Sequence, residues 1–351
     1  MRSTGARVLF LVPGGIALLA GLAAGLSLLG FAAFAVGRLP QVHGPLLVFG
    51  FVATVVSVER AVALRRLIAF AAPALLGVGG ILLLTPAPLP VGKTVLLAGT
   101  VAFVLLYVAI WRRQGAAAVA IQALGAAAAV FGAALWLAGA SIPHLVPSMA
   151  VFLILTIAGE RLELARIGFI GTRAESTTFG LSVAAFAACV AALLWPAWGY
   201  PLLGLALLAL VAWLARHDVA RHTIRSPGLP RFMAGCLLAG YAWLAVAAGI
   251  WVVSGPVLEG RAYDASVHAV FLGFVLSMIM AHAPVIFPAV IRRPLPYRPM
   301  MALPVWLLQA SLVLRIVVGD ARDLTWAVQL GGALNVVAVL AFVLMAVGSV
   351  I

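Results

Sequence analysis

Long apolar runs, broken at short intervals by arginine, proline and glycine, fill the chain from end to end. A helix that crosses a bilayer needs about 20 mainly apolar residues. Twelve runs answer to that description, near 8–36, 43–64, 67–87, 91–111, 116–141, 144–166, 176–198, 200–215, 231–253, 264–290, 299–318 and 324–349. They are continuous rather than alternating, which excludes a transmembrane β-barrel and leaves helices to satisfy every backbone group in lipid. The eighth run is the shortest. The first, behind Arg2 and Arg7, is too long for the apolar region of a cleaved leader. The pattern predicts an all-α integral membrane protein with twelve transmembrane helices, forming a single membrane domain over 1–351.

Composition agrees and excludes other classes. The chain is 65% hydrophobic and 9% charged, more apolar surface than a water-soluble fold can bury. Its 22 basic and 9 acidic residues give a net charge of +13. In a soluble protein that excess would suggest nucleic acid; here it reports topology, because cytoplasmic loops of membrane proteins collect Lys and Arg. With the N-terminus inside, 17 of the 22 basic residues fall at inner ends, and Arg38, Lys93, Arg261, Arg315 and Arg322 at outer ones. Both termini are therefore expected in the cytoplasm, the lipid bilayer is the constant partner, and no nucleic acid is involved. Connections shorter than about 20 residues leave no room for an extramembrane domain. Cys189 and Cys236 lie inside apolar runs and read as buried thiols.

An internal repeat carries histidines. The second run opens HGPLLVFGFVATVVSVER and the sixth HLVPSMAVFLILTIAGER, so that His43, Phe51, Glu59 and Arg60 correspond to His144, Phe152, Glu160 and Arg161. Four runs further on the tenth starts with Ser266, Val267 and His268, without the later Phe and Glu-Arg. Three four-helix pseudo-repeats follow, about 1–114, 115–227 and 228–351, each with a histidine near the outer start of its second helix. Glu-Arg at the far end, about 24 Å along the helix, reads as a pair snorkelling to the headgroups. A single histidine at a helix mouth is compatible with interfacial water. Three at one depth point to function, since intramembrane ionisable groups are costly and neutral imidazole is a ligand for haem iron and copper.

Other polar residues sort differently. His282 lies 14 residues after His268 on the same helix, about 40° away in azimuth and about 21 Å in height, so one metal cannot reach both. A dihaem cytochrome b would need the same pair on a partner helix, and neither His43 nor His144 has one. His282 precedes Ala283 and Pro284 and is open to a ligand or a hydrogen-bonded structural role. His217 and His222, in the basic segment RHDVARHTIR, read as solvated. Arg315 and Arg322 are suited to haem propionates or to pairing with the neighbouring Asp320 and Asp323. Gln122, Gln309, Gln329 and Asn335 read as helix glue. Acidic residues are scarce at mid-membrane positions, which weakens a proton-coupled transporter. Phosphate-loop, HExxH, CxxC and CxxCH motifs are absent.

These residues resemble two known families. Twelve helices in three four-helix arcs, with histidines on the second, sixth and tenth, resemble subunit I of the haem-copper oxidases, whose second helix also carries an HG-x-x-x-x-F segment such as His43, Gly44 and Phe49. The resemblance implies that His43 and His268 hold a haem and that His144 is a copper-side ligand. The oxidases also carry paired histidines on helix seven and a second, adjacent histidine on helix ten; the run 176–198 has no histidine. The segment HAVFLGFVLSMIMAH, with Gly273 and Met278, is similar to the NnrS family, twelve-span bacterial proteins linked to the nitric oxide response and regarded as haem and copper binding. The expectation is a haem b protein of the bacterial inner membrane, with or without copper, that handles nitric oxide or exchanges gas or electrons with a diatomic ligand or donor. His43, His144, His268 and His282 are its candidate metal ligands. A nitric oxide or oxygen reductase with an atypical ligand set, and a metal-binding channel or transporter without haem, are the alternatives.

Overall fold

The structure is a computed structural model that describes residues 4–34, 37–166, 172–293 and 295–349. Among these residues every regular element is helical, and twelve helices are long and apolar enough to cross a membrane. They are α1 (Arg7–Leu28), α2 (Leu39–Leu64), α3 (Leu67–Leu84), α4 (Leu89–Gln114), α5 (Ala117–Leu137), α6 (Ile142–Leu164), α7 (Arg173–Leu194), α8 (Pro196–His217), α9 (Leu229–Ser254), α10 (Gly260–Pro288), α11 (Pro299–Arg322) and α12 (Thr325–Gly348). The count agrees with the hydropathy pattern. Several boundaries shift by a few residues. α1 stops at Leu28, and the end of the first run, 35–36, lies outside the described residues. The break between the seventh and eighth runs falls at Trp195, because Pro196 suits the first turn of a helix, where its missing N–H is not needed. The short eighth run thereby becomes a full 22-residue span.

The chain falls into two compact units, Met1–Phe152 with Pro288–Arg292, and Leu153–Phe287 with Arg293–Ile351. The division cuts inside α6. In the first unit small residues set the helix spacing, as lipid supplies no hydrophobic force between helices. Leucines and glycines of α3 and α4 interlock: a Cβ on Gly79 would come within 2.7 Å of Leu96, on Gly92 within 2.8 Å of Leu83, and on Gly99 within 2.9 Å of Leu76. α2 crosses α3 where Gly50 meets Gly80; a Cβ on Gly80 would lie 3.0 Å from the Gly50 Cα.

Three cations of this unit close helix ends supplied by other helices. Arg38 donates to the carbonyls of Leu83 (3.0 Å), Ala87 (2.8 Å) and Thr85 at the end of α3. Lys93 donates to the Trp136 carbonyl at 2.8 Å and sits over the Trp136 ring. Arg113 donates to the Leu64 carbonyl at 2.9 Å. The last carbonyls of a helix have no partners within it and carry partial negative charge, which is what a cation can satisfy. Arg38 and Lys93, two of the five exceptions to the charge rule, are thus structural caps.

In the second unit α7 and α8 form a hairpin with Trp195 as its link. Gly199 on α8 abuts the backbone of Ala191 and Ala192, and Gly204 abuts the Ala248 carbonyl of α9. Gln309 accepts from the Trp243 indole at 2.7 Å and donates to Ser277 at 2.9 Å, tying α9, α10 and α11 together. Asn335 of α12 donates to Ser311 of α11 at 2.6 Å. These two polar residues are the helix glue that the sequence suggests.

Candidate functional site

His43 stands in the first turns of α2 with its ring against Gly25 of α1, where a Cβ would come within 3.0 Å of the imidazole Cε1. Glycine there makes the room. The His43 Nδ1 lies 2.8 Å from the Gly21 carbonyl oxygen. A carbonyl oxygen can only accept, so Nδ1 carries the hydrogen, and in the neutral ring the lone pair is then at Nε2. His268 on α10 is anchored likewise: its Nδ1 lies 2.8 Å from the backbone carbonyl of Asp264 and 3.3 Å from an oxygen of the Asp264 carboxylate. Metal-ligating histidines are commonly oriented in this way, through the nitrogen that does not face the metal.

The backbone after both rings is unusual. Helix α2 is π-helical over Leu46–Ala53 and α10 over Ala269–Leu276, eight residues each, starting three residues after His43 and immediately after His268. The two stretches, LLVFGFVA and AVFLGFVL, have Gly-Phe-Val at their fifth to seventh positions: Gly50, Phe51 and Val52 against Gly273, Phe274 and Val275. A Cβ on Gly273 would fall 2.5 Å from Trp243. π-helical turns are rare overall and are frequent at functional sites. α11 has a third, over Val313–Gly319, which carries Arg315.

His144 is different. It is exposed at the start of α6, its Nδ1 lies 2.8 Å from the Ser141 hydroxyl, and the helix continues from Ile142 to Arg166 in ordinary α geometry. Among the described residues no group of three or more His, Cys, Asp or Glu is arranged to hold a metal ion.

The structure gives His282, Arg161 and Arg315 partners that the sequence does not show. His282 is buried, and both ring nitrogens are engaged: Nδ1 donates to the Met278 carbonyl at 2.7 Å, and Nε2 is left to accept from Arg161 at 3.2 Å. It is a structural histidine, because a guanidinium occupies the lone pair that a metal would need. Arg161 does not snorkel. Its guanidinium is buried and grips Asp218 with two bonds of 2.8 and 2.7 Å, while Tyr241 adds its hydroxyl to the same carboxylate at 2.7 Å. Arg315 pairs neither with Asp320 nor with Asp323. Its fork closes on Asp264 with two bonds of 2.8 Å, so it is not open for a propionate, whereas Arg322 is exposed.

His217 stacks on Trp213 and His222 accepts from Arg221, both at the exposed surface. Asp264, Asp218 and Tyr241 are site residues that the sequence reading passed over. The four-residue spacing from Asp264 to His268 was the available signal for the first. A family model with the description "Domain of unknown function (DUF8744)" matches residues 7–351. No curated protein and no solved structure matches the chain.

Proposed function

Since the chain belongs to this DUF8744 family, whose description assigns no activity, we propose from its own residues that it is a membrane haem protein of NnrS-like or degenerate haem-copper oxidase-like type. It would act in nitric oxide handling or in redox or gas binding, in the bacterial inner membrane, with both termini in the cytoplasm. The twelve spans would be three pseudo-repeats, two of which place a haem ligand, His43 and His268. One observation carries this reading. These two histidines share a backbone-anchored Nδ1 and lead into π-helical stretches with the same Gly-Phe-Val, and His144 has neither feature.

His43 and His268, whose rings are each oriented by a backbone carbonyl at Nδ1, would be the residues that hold the iron, and the Asp264 carboxylate beside His268 would help to orient that ring. A haem held by two histidines supplies one-electron transfer, and one with an open side binds a diatomic gas. The chain's own contribution is to fix ring orientation through Gly21 and Asp264. Copper, if it binds, would need His144 or His282.

The test is an optical spectrum of the purified chain, expressed with ample haem supply, as isolated and after dithionite. A strong Soret band with sharp reduced bands is expected. A colourless protein would sink the reading and favour a channel or transporter without a cofactor.

A further inference from the structure

The histidine-bearing end of α10 and the adjoining ends of α11 and α12 hold three aspartates and three arginines, of which Arg322 is exposed. The other two arginines each have their own carboxylate. Arg315 takes Asp264 with paired bonds of 2.8 Å, and Arg261 takes Asp323 at 2.7 Å while also donating to Thr325 of α12 at 2.7 Å. Asp320 is the odd one. Its nearest cation, Arg261 Nη1, is 4.0 Å away, and no hydrogen-bond donor reaches either oxygen. Its side chain is also the least accessible of the three, 2% exposed against 27% for Asp264 and 82% for Asp323.

The Asp320 carboxyl lies within hydrogen-bonding reach of the Asp264 carboxyl. Two carboxylates are both acceptors and repel, and a buried, unpaired negative charge is among the costliest groups a fold can hold. One proton removes both costs. It turns Asp320 into a donor toward Asp264, and it leaves Asp264 and Asp323 each held by its own guanidinium, Arg315 and Arg261. We propose that Asp320 is a proton-binding residue, occupied by a proton that it donates in a hydrogen bond to Asp264. The step is uptake of one proton from water with no electron transfer. It does not depend on a haem. If His268 does bind iron, the proton lies next to the carboxylate that orients its ring, where charge arriving at the metal would be felt.

The chain has four aspartates, Asp218, Asp264, Asp320 and Asp323, so infrared spectroscopy of the full chain labelled with 13C-aspartate can resolve their carboxyl groups. Near neutral pH one of the four is expected to give a carboxylic acid C=O band that is sensitive to exchange into D2O. That band should vanish in Asp320→Asn and persist in Asp323→Asn. Asn is a neutral isostere that can also donate to Asp264, so the Asp320→Asn chain should keep the elution profile and melting point of the wild type. Four ionised aspartates in the wild type, or an acid band that survives in Asp320→Asn, would overturn the assignment. The labelled wild type decides the matter even if the variant fails to fold.

Discussion

Arg161→Met is expected to cost about 3–5 kcal/mol, the usual penalty for breaking a buried ion pair from one side. The loss is not that of a surface salt bridge. Removing the guanidinium strands the Asp218 carboxylate and takes the donor from His282 Nε2, and Arg161, Asp218, Tyr241 and His282 are all buried. Asp218→Asn should cost somewhat less, because the amide oxygen still accepts from Arg161 and from one of the two other donors, Tyr241 or the Ala220 N–H, which bond different oxygens of the carboxylate. Arg161→Met combined with Asp218→Leu should recover part of the loss, as neither charge is then left unpaired. Unfolding of the wild type, Arg161→Met, Asp218→Leu and the double variant in detergent measures this coupling. Acid should act on the same group. Burial alone would push the Asp218 carboxyl up, but the bonds and charge of Arg161, with the Ala220 N–H and the Tyr241 hydroxyl, hold it below the ordinary carboxylate value. A carboxyl held low in the folded state stabilises fully above its unfolded value of about 4 and loses that contribution as the pH falls through the folded value. Wild-type melting temperature should therefore drop in that window, and the drop should be smaller in Asp218→Asn.

Gly199→Ala should be the most damaging addition of one methyl group, about 3 kcal/mol by the upper range for overpacking. A Cβ there would lie 2.2 Å from the Ala192 nitrogen and 2.3 Å from the Ala191 carbonyl carbon. Those are backbone atoms, so no rotamer change relieves the contact, and the α7–α8 hairpin must open at Trp195. Gly180→Ala on the same hairpin has nothing within 4 Å and should stay within about 0.5 kcal/mol of wild type, as surface substitutions do. Equal melting points for the two variants would contradict the packing described for this hairpin.

The number of spans could be read from hydropathy because every span must be apolar along its length, whatever it packs against. Pro196 is the case where the local rule, applied to the residue rather than the window, gives the right boundary. Side-chain partners were less legible. His43 and His268 stand out through their place in the repeat, but Gly21 and Gly25, which hold and admit the His43 ring, look like any other small residues of a membrane helix. Asp218 sits in RHDVARHTIR among cations that read as solvated, and its partner Arg161 lies 57 residues away. Asp264 is paired with Arg315 across 51 residues, so the nearer Asp320 and Asp323 looked the better partners. Hydrogen-bond register is hidden in the same way. Both π-helical stretches are apolar throughout, so a change from α to π leaves no periodicity to detect, and the shared Gly-Phe-Val was the one visible trace.

The most direct measurement is the haem content per chain, by pyridine haemochrome assay, of the wild type, His43→Ala, His268→Ala and His144→Ala after identical expression with ample haem. Haem in the wild type and His144→Ala, with its loss from both His43→Ala and His268→Ala, is the predicted result. Full haem content in both of those two variants, or none in the wild type, would contradict the account.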